Sequence, residues 1–511
     1  MNLIPLPVEI HPGSGSFTLT SSTRILYSDK AEFSAMYLAG LLHPATGFML
    51  PMEKIGLKNS TGILIKLETD PDLGISSEGY FLSITPRQIE ISSTSKGGLL
   101  YGIQTLRQLL PLEIESSEPV PGLDWKVPCL EIVDQPTFSW RGLHLDVSRH
   151  MYPVEFLKNF LDLMALHKLN VFHWHLTDDQ GWRIEIQKFP RLVQVGAYRE
   201  STPFPHDRGK ADNQPYGGFY SQDEVRELVS YASERNIIIV PEIEMPGHTL
   251  AALAAYPQYG CKGGGYKVGC WWGMQDEVFC PGNIELYPFL EDILEEVLDL
   301  FPSEFIHIGG DECPKNSWKA CPKCQNKIEE EGLKDELELQ SYFIRRIGKY
   351  LNSKGKRIIG WDETLEGGLA PNAAVMSWRG MEGGVSAALK NHEVVMTPNT
   401  HCYFDYYQSL KYDIEPPALG GYISLEKVYE FDPCDGIPFE KQKYILGGQG
   451  NIWTEFMPTG NQVEYMTYPR ASALAEVLWS GPSKDFISFS GRIKNHLMRL
   501  KDIGVNYRPI D

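Results

Sequence analysis

The sequence predicts an α/β protein in which a (β/α)8 TIM barrel follows a small α+β domain. The chain has 511 residues, which is too long for one small core. From about residue 139, short apolar runs alternate with segments of helical period, as in a parallel sheet covered by helices. Eight such runs fit a barrel with insertions. A doubly wound open sheet is the alternative, but no glycine-rich turn follows its first strand, in "LDVSRH".

The first 135 residues predict the small α+β domain. Its expected elements are strands at 23–28 and 62–68, a hairpin over 79–93, a helix over 95–110 and a linker over 111–128. The hairpin segment alternates polar and apolar residues about a Pro-Arg turn. The helix repeats leucine and isoleucine every three or four residues, and the linker is rich in proline, glutamate and serine.

Residues 136–482 predict the barrel, and residues 483–511 predict a closing helix, at 485–505, with a short tail. The expected strands are 141–148, 171–178, 237–244, 305–312, 356–363, 374–378, 393–398 and 444–453. The expected helices between them are 153–167, 222–235, 285–300, 336–353 and 382–391.

Charge and composition limit the partners of this chain. It is 42% hydrophobic, as ordinary globular proteins are, and its 47 basic and 66 acidic residues give a net charge of −19. That charge repels nucleic acid and anionic membranes, so we expect neither as a partner. We also expect no membrane span, because no apolar run reaches about 18 residues. The N-terminus lacks a signal-peptide pattern. The expected compartment is the periplasm or exterior if a leader has been removed, and otherwise the cytoplasm; the oligomeric state is left open.

Acidic and aromatic residues recur where the predicted strands end. They are Asp146, Arg149, Asp178, Asp179, Glu242, Glu244, His248, Asp311, Glu312, Trp361, Asp362, Glu363, Trp378, Trp453 and Glu455. A single strand-end acid is usually solvated or caps a helix, and a single buried tryptophan is usually core. Their recurrence on one rim favours a carbohydrate site, because tryptophan stacks on sugar rings while carboxylates and arginine bind hydroxyls.

Two clusters raise the question of a metal. His173 and His175 share one face of a strand, as paired metal ligands do, but core histidines look the same and only His248 offers an obvious further ligand. Cys313, Cys321 and Cys324 form one suggestive cluster, in which "CPKC" (321–324) has the spacing of half a zinc site, but a fourth ligand at matching spacing is missing. We therefore expect no cofactor and no metal, with free or locally paired thiols at Cys313, Cys321 and Cys324.

"HIGGDE" (307–312) ends in two adjacent acids, Asp311 and Glu312. Most glycosidases place two carboxylates on opposite sides of the scissile bond, about 5–5.5 Å apart for retention or 6.5–9.5 Å for inversion. Neighbouring side chains on a strand diverge and suit neither arrangement. One of the two acids must therefore do something other than attack the anomeric carbon.

Five motifs occur in an order that resembles the family 20 β-N-acetylhexosaminidases. They are "RGLHLDVSRHMYP", "LHKLNVFHWHLTDDQGWRIEI", "PEIEMPGHT", "HIGGDE" and "GWDE". The resemblance covers residues 136 to 480, and the small first domain is also similar to that of the family. It implies retention in which the 2-acetamido oxygen of the substrate attacks and forms an oxazolinium ion. Glu312 would be the acid and then the base, and Asp311 would accept the acetamide N–H.

The resemblance also implies roles for nine substrate-binding residues. Arg149 would bind sugar hydroxyls through an exposed guanidinium, and Asp178 with His248 would tune Glu312. The acetamide and ring pocket would be walled by Trp361, Trp378 and Trp453. The acetamide and its surroundings would be bound by Tyr403 and Asp405, with Tyr403 directed to the carbonyl oxygen. Glu455 would bind the far hydroxyls. The insertion 258–283 would either wall the site or pack on the barrel.

The resulting expectation is an exo-acting enzyme whose partner is a glycan or oligosaccharide with a terminal non-reducing β-linked GlcNAc or GalNAc. Release of a disaccharide such as lacto-N-biose is an alternative within enzymes. A non-catalytic glycan-binding protein on the same fold is an alternative outside them, although intact Asp311 and Glu312 count against it. A metal-dependent barrel hydrolase is a further alternative.

Overall fold

The first domain is a mixed sheet packed against two helices. The computed structural model describes residues 1–55, 64–70, 72–205, 207–482 and 485–510. In that part of the chain the domain contains β1 (Glu9–Thr18), β2 (Arg24–Tyr27), α1 (Glu32–Thr46), β3 (Met52–Lys54), β4 (Leu64–Thr69), β5 (Tyr80–Ile84), β6 (Gln88–Ser93), α2 (Lys96–Leu109) and β7 (Lys126–Asp134). The strand order is β1-β7-β5-β6-β4-β2-β3. The start of the predicted strand 62–68 lies outside the described residues.

The predicted hairpin and helix of this domain are present. β5 and β6 pair antiparallel, and Ser95 caps α2 by accepting a hydrogen bond from the Gly98 N–H. The predicted linker 111–128 is wrong at its end, because β7 already begins at Lys126. Pro128 made that stretch look like a loop. The strand tolerates it because Pro128 pairs with Ser16 beside an irregularity in β1.

The second domain begins with β8 and closes into a barrel. Its first half contains β8 (Trp140–Asp146), α3 (Val154–Leu166), β9 (Val171–His175), β10 (Thr177–Asp178), β11 (Gly181–Trp182), α4 (Arg191–Gln194), β12 (Tyr198–Arg199), β13 (Pro203–Phe204), β14 (Asp207–Ala211), β15 (Tyr216–Gly217), α5 (Gln222–Glu234), β16 (Ile238–Glu242), α6 (Leu250–Ala255) and α7 (Leu286–Leu300).

The second half contains β17 (Phe305–His307), α8 (Asn316–Ala320), α9 (Pro322–Glu330), α10 (Glu336–Ser353), β18 (Arg357–Trp361), β19 (Ala374–Ser377), α11 (Glu382–Leu389), β20 (Val394–Met396), α12 (Leu425–Tyr429), β21 (Ile445–Gly450), α13 (Gly460–Thr467), α14 (Arg470–Ser480) and α15 (Phe486–Ile503). Short 3-10 helices lie at Asp29–Ala31, Leu112–Glu115, Pro257–Tyr259, Asp362–Leu365 and Phe439–Tyr444.

Eight parallel strands close the barrel in the order β8-β9-β16-β17-β18-β19-β20-β21, with β21 paired back to β8. Each corresponds to one predicted strand, so the predicted barrel is confirmed and the open sheet is excluded. The strands are almost wholly buried, since the outer helices cover one face and the barrel interior the other. The five predicted helices also form, and α5 begins with a capping box between Ser221 and Glu224.

The first domain is held to the barrel by buried ion pairs and by one inserted tryptophan. Lys168 lies 2.8 Å from Asp134, and neither side chain is exposed to solvent. The Trp479 indole, from α14, donates to the same Asp134 carboxylate at 2.9 Å and packs into the core of the first domain. The closing helix α15 contacts both domains, because Arg499 donates to Leu110 while His496 contacts His167. Among the described residues, none of the helices combines the length and apolar character needed to cross a bilayer.

Candidate active site

The strand register brings four polar side chains to one level at the carboxyl end of the barrel. Asp146 pairs with His175, His175 with Glu242, and Glu242 with His307, across four consecutive strands. Because the strands are parallel and in this register, these residues form a polar layer beneath the strand-end loops. The sequence-predicted residues lie around and above it.

Glu242 is the centre of this layer. Its carboxylate accepts a hydrogen bond from the Trp361 indole at 2.9 Å and lies 2.7 Å from His307 and 3.1 Å from His173. His175 hydrogen-bonds to the same carboxylate. Burial would raise the pKa of Glu242, but the surrounding imidazoles outweigh it and hold the pKa well below its usual range. A buried anion therefore orders the floor of the site.

A chain of charged groups connects this floor to Glu312. The His175 ring contacts Glu242 through Nδ1 and lies 3.0 Å from Asp178 through Nε2. His248 Nδ1 lies 3.3 Å from Asp178, and His248 Nε2 lies 3.6 Å from Glu312. Burial would lower the pKa of His248, but Asp178 and Asp179 raise it well above the usual value. His248 is therefore held as a cation between Asp178 and Glu312.

The backbone of "HIGGDE" explains its two glycines. Gly309 and Gly310 have φ of 64° and 91°, in the left-handed region that glycine adopts without strain. A Cβ at Gly309 would lie 1.7 Å from the buried Glu244 carboxylate. Glu312 has φ of 41° although it is not glycine, and such strain is typical of functional sites. The turn therefore lets adjacent acids leave the strand in different environments.

Asp311 is the buried member of the pair. It is 8% exposed, and its Oδ1 has no hydrogen-bond partner among the described residues. Burial raises the pKa of Asp311 to about 6, with Glu242 and Glu312 adding to the rise and His248 opposing it. The side chain is thus a carboxylate at neutral pH with an acceptor oxygen available for a ligand donor.

Glu312 is the accessible member of the pair. Its side chain is 37% exposed, and the His248 imidazole, whose Nε2 lies 3.6 Å from the carboxylate, lowers the pKa of the carboxyl group. A ligand that covered this side chain would exclude water and raise the pKa again. The two acids therefore differ in exposure and in the direction of their pKa shifts.

Arg149 differs from the sequence prediction. We expected an exposed guanidinium, but Arg149 is only 5% exposed. Its guanidinium lies 2.7 Å from Asp178 and donates to the Gln180 amide oxygen at 2.9 Å. A strand-end motif cannot reveal these contacts, because both partners come from the loop after the next strand. The Arg149 guanidinium also lies 5.2 Å from the centre of the Trp453 ring. It forms part of a fixed wall.

The predicted aromatic residues lie together. Trp361 is 1% exposed and its ring centre lies 5.8 Å from that of Trp453, so Trp361 is the floor and Trp453 a side. Trp378 is half-buried and stacks on Tyr403, with ring centres 6.0 Å apart. The Trp378 indole donates to Glu363 at 2.9 Å. These rings provide flat apolar surfaces among the carboxylates.

Asp405 and Glu455 are acceptors without partners. Both Asp405 carboxylate oxygens and Glu455 Oε2 are buried, and none has a hydrogen-bond partner among the described residues. Burial raises the pKa of Asp405 well above its usual value, and the neighbouring Glu455 adds to the rise. An unpaired buried acceptor costs free energy unless a ligand supplies the donor. These two residues therefore point to a ligand rich in hydroxyl groups.

Two further residues of the site were given no individual role from the sequence. Gln180 bridges Arg149 to the Trp271 carbonyl oxygen, to which its amide donates at 2.8 Å. Burial raises the pKa of Glu363 to about 8, with a contribution from Asp311. Glu363 was visible as a strand-end acid, whereas Gln180 carried no charge pattern that would mark it.

Several ligand groups at the strand ends are close enough to hold an ion. They are His144 with His173 and Glu242, His175 with Glu242 and Glu244, and Asp178 with Asp179 and His248. Within them, His175 already bridges Glu242 and Asp178, and Glu242 accepts from Trp361. These residues therefore have hydrogen-bonding roles that position the pocket floor.

Family comparisons cover nearly the whole chain. "Glycosyl hydrolase family 20, catalytic domain" matches residues 138–482, and "Glycosyl hydrolase family 20, domain 2" matches residues 1–135. A "Beta-hexosaminidase" of Porphyromonas gingivalis is 46% identical over 511 residues, with 99% of this chain and 64% of the relative covered. The chain thus spans less than two thirds of that relative. A "Beta-hexosaminidase" of Vibrio furnissii is 36% identical over 485 residues, covering 93% of this chain and 76% of the relative.

Solved structures give the same result. The GH20 β-N-acetylhexosaminidase of Streptomyces coelicolor superposes with a TM-score of 0.86 at 30% identity, covering 100% of this chain and 97% of that one. A GH20 exo-β-N-acetylglucosaminidase of Vibrio harveyi, solved in complex with N-acetylglucosamine, has a TM-score of 0.86 at 32% identity, covering 99% of this chain and 78% of that one. The likeness includes both domains.

Proposed function

The chain belongs to glycosyl hydrolase family 20, and we propose that it is an exo-acting, retaining β-N-acetylhexosaminidase. Its substrates would be glycans with a terminal, non-reducing, β-linked GlcNAc or GalNAc. One observation carries this proposal: buried acceptor oxygens of Asp311, Asp405 and Glu455 have no partners among the described residues. An N-acetylhexosamine supplies the matching donors, one acetamide N–H and several hydroxyls.

In the proposed reaction the substrate supplies its own nucleophile. The 2-acetamido oxygen attacks the anomeric carbon, and Asp311 accepts the acetamide N–H while its charge stabilises the developing oxazolinium ion. The unpartnered Oδ1 of Asp311 and its ionisation above pH of about 6 support this role. No enzyme carboxylate is needed on the far side of the bond, so adjacent acids suffice.

Glu312 would move the proton. The His248 cation lowers the pKa of Glu312, which alone would leave it a poor acid. A bound sugar would cover the exposed part of the Glu312 side chain. The resulting desolvation would raise the pKa of Glu312, so that its carboxyl group is protonated before the reaction. After the leaving group departs, the same carboxylate would take a proton from the water that opens the oxazolinium ring.

The walls would fix the sugar and its acetamide. Trp361 and Trp378 offer flat faces to the acetamide and Trp453 offers one to the ring, and Tyr403 stacks on Trp378 with its hydroxyl available to the carbonyl oxygen. Such packing holds the attacking oxygen near the anomeric carbon and excludes water. An acetamide that is already in place needs little reorganisation in the transition state.

The far hydroxyls would be held by Glu455, and the neighbouring Asp405 would hydrogen-bond the acetamide and its surroundings. Burial raises the pKa of Glu455, and the charge of Arg149 limits that rise, which favours a carboxylate there. Charge-assisted hydrogen bonds from sugar hydroxyls would satisfy these acceptors. Binding of the terminal hydroxyls at the base of the pocket would give the exo mode of action.

The test is hydrolysis of p-nitrophenyl β-GlcNAc and β-GalNAc, with the α-anomers, chitobiose and a p-nitrophenyl lacto-N-biose glycoside measured in parallel. We expect release from the β-monosaccharides and from chitobiose. If neither p-nitrophenyl β-monosaccharide is hydrolysed, the proposal is overturned. Release of p-nitrophenol from the lacto-N-biose glycoside alone would indicate the disaccharide-releasing alternative. Glu312→Gln, purified identically, controls for contaminating host glycosidases.

A further inference from the structure

Four cysteines meet outside the catalytic pocket. The sequence showed Cys321 and Cys324 as half a site without further ligands, and the fold supplies them. Cys261 and Cys280, from the insertion between α6 and α7, place their sulfurs so that all four Sγ atoms lie within 4.8 Å of one another. The predicted cluster of Cys313, Cys321 and Cys324 was therefore wrong in its members, because Cys261 and Cys280 join Cys321 and Cys324 while Cys313 is not part of the four-sulfur group. The two further ligands were not recognised from the sequence because they are far from Cys321 and Cys324 along the chain.

The sulfur spacing fits a tetrahedral metal. The Sγ atoms of Cys280 and Cys324 are 3.5 Å apart, those of Cys280 and Cys321 3.7 Å, and those of Cys261 and Cys324 3.9 Å. A tetrahedral zinc with Zn–S bonds of about 2.3 Å has sulfur–sulfur edges of about 3.8 Å. A disulfide needs about 2.0 Å. The arrangement therefore matches four ligands around one centre better than two covalent pairs.

The surroundings of the four sulfurs resemble a closed structural site. Cys280, Cys321 and Cys324 are buried, and they pack with Val278, Trp318 and Leu339. The Trp318 indole donates to the Phe279 carbonyl oxygen at 2.8 Å, which fixes the chain next to Cys280. All four ligand positions come from the protein, so no position is left open for substrate. The site is structural and not catalytic.

The backbone is also arranged for close approach at the Cys321–Cys324 turn. Gly282 packs so tightly against it that an added Cβ would lie 2.2 Å from the Lys323 carbonyl oxygen and 2.5 Å from the Cys324 nitrogen. Only glycine allows the two segments to meet this closely. One glycine and two cysteines of the insertion therefore meet the two cysteines of the Cys321–Cys324 turn in one close contact.

We propose that Cys261, Cys280, Cys321 and Cys324 bind one structural Zn²⁺ ion as a tetrathiolate. The four thiols lose their protons on binding, and the ion gains four sulfur ligands without any change of oxidation state. The ion joins the insertion 258–283 to α9, in the segment that follows Glu312. It supplies the cross-link that the insertion needs, since much of that segment lacks regular secondary structure.

The zinc would act on the catalytic pocket through the insertion. The loop between Cys261 and Cys280 carries Trp271 and Trp272. The Trp271 carbonyl oxygen accepts from Gln180, which in turn accepts from Arg149. The Trp272 ring lies 5.8 Å from His150, next to the same wall. Anchoring both ends of this loop would hold the outer rim of the pocket in place.

The primary experiment is metal analysis of the full chain, purified under reducing conditions without a metal-affinity step. We expect about one zinc per chain by mass spectrometry of the metals. The double variant Cys321→Ser/Cys324→Ser should lose it, whereas Cys434→Ser, a half-buried cysteine outside the cluster, should keep it. A protein without stoichiometric zinc, or one with iron in its place, would overturn the proposal.

Two measurements on the unaltered protein keep the test decisive if the double variant does not fold. A mercurial thiol reagent should release the zinc, recorded with a metallochromic dye, as four thiols react. Replacement by Co²⁺ should give thiolate-to-cobalt charge-transfer bands and the visible bands of a tetrahedral site. Two disulfides among the four cysteines in an unreduced digest would overturn the proposal.

The structural role has its own readout. Lys262 and Lys267 lie inside the anchored loop and are 64% and 75% exposed, so trypsin can reach them when the loop opens. Removal of zinc should speed cleavage there by about tenfold or more, because local opening controls proteolysis. Readdition of Zn²⁺ should restore protection. Cleavage at an unchanged rate would show that the ion does not hold the loop.

Discussion

Replacing Asp311 by Asn should raise stability and lower activity at the same time. The substitution keeps the size of the side chain and removes its charge. Burial and the negative charges of Glu242 and Glu312 raise the pKa of Asp311 to about 6, about two units above its ordinary value. Each unit corresponds to about 1.4 kcal/mol, so keeping this carboxylate ionised costs up to about 3 kcal/mol at neutral pH.

The pH dependence of the stability difference follows from the direction of the shift. Below pH of about 4, Asp311 is protonated in both the folded and the unfolded chain, and its charge costs nothing. Between about 4 and 6 the unfolded chain loses its proton first, so the folded wild type becomes progressively less favourable. The stabilising effect of Asp311→Asn should therefore appear over this interval and stay constant above it.

The loss of activity should be larger than the gain in stability. The asparagine oxygen can still accept the acetamide N–H, but the charge that opposes the oxazolinium cation is gone. Two unit charges about 4 Å apart interact by about 4 kcal/mol at an effective dielectric constant of 20. That energy corresponds to a fall in kcat of about 10³-fold. The fall should be similar for good and poor leaving groups, because Asp311 acts on the acetamide and not on the leaving oxygen.

The assay combines thermal unfolding at pH 4 to 8 with kcat and KM on p-nitrophenyl β-GlcNAc. Asp124→Asn is the matched control, since this acid is exposed in the segment before β7 and should change neither quantity. A variant that is less stable at neutral pH, or one that retains nearly full kcat, would refute the assigned role of Asp311.

The remaining predictions concern other groups of the pocket. Glu312→Gln should reduce hydrolysis of chitobiose by about 10²- to 10⁴-fold and that of 2,4-dinitrophenyl β-GlcNAc much less, because only the poor leaving group needs the acid; equal losses would contradict this role. Glu455→Gln should reduce kcat/KM about 10- to 100-fold through a lost charged hydrogen bond to a sugar hydroxyl, and the corresponding deoxy-sugar should show no such difference between wild type and variant. The acid limb of kcat/KM should have a midpoint near pH 6 in the wild type and be absent in Asp311→Asn, since protonated Asp311 cannot stabilise the cation; a limb that persists unchanged belongs to another group.

The barrel could be predicted because its strands are short apolar runs with clear starts, although β17 ends at His307 and not at the predicted residue 312. β9, β17 and β18 begin within one residue of their predicted starts. The first domain was harder. β1 contains Pro12, Gly13 and Gly15, which resemble a turn, and the strand accommodates them through an irregularity in its pairing with β7. α1 carries Pro44 in its last turn and gave no recognised helix.

The site could be predicted in its members but not in their environments. The residues come from the strand ends, where chain order alone indicates that they converge. Burial of Arg149 depends on Asp178 and Gln180, which belong to the loop after another strand. The cysteine cluster shows the same limit, because Cys261 and Cys280 are far from "CPKC" in the chain and no spacing pattern links them. Contacts between distant segments follow only from the closed fold.

The central claim is that the substrate's acetamide is the nucleophile. The most direct test uses aryl β-glycosides whose N-acetyl group carries zero, one, two or three fluorine atoms. Each fluorine withdraws electrons from the acetamide oxygen, so kcat/KM of the wild type should fall steeply and regularly along the series. Rates that are independent of fluorine number would mean that a group of the protein attacks the anomeric carbon, and they would contradict the assignment of Asp311 and Glu312.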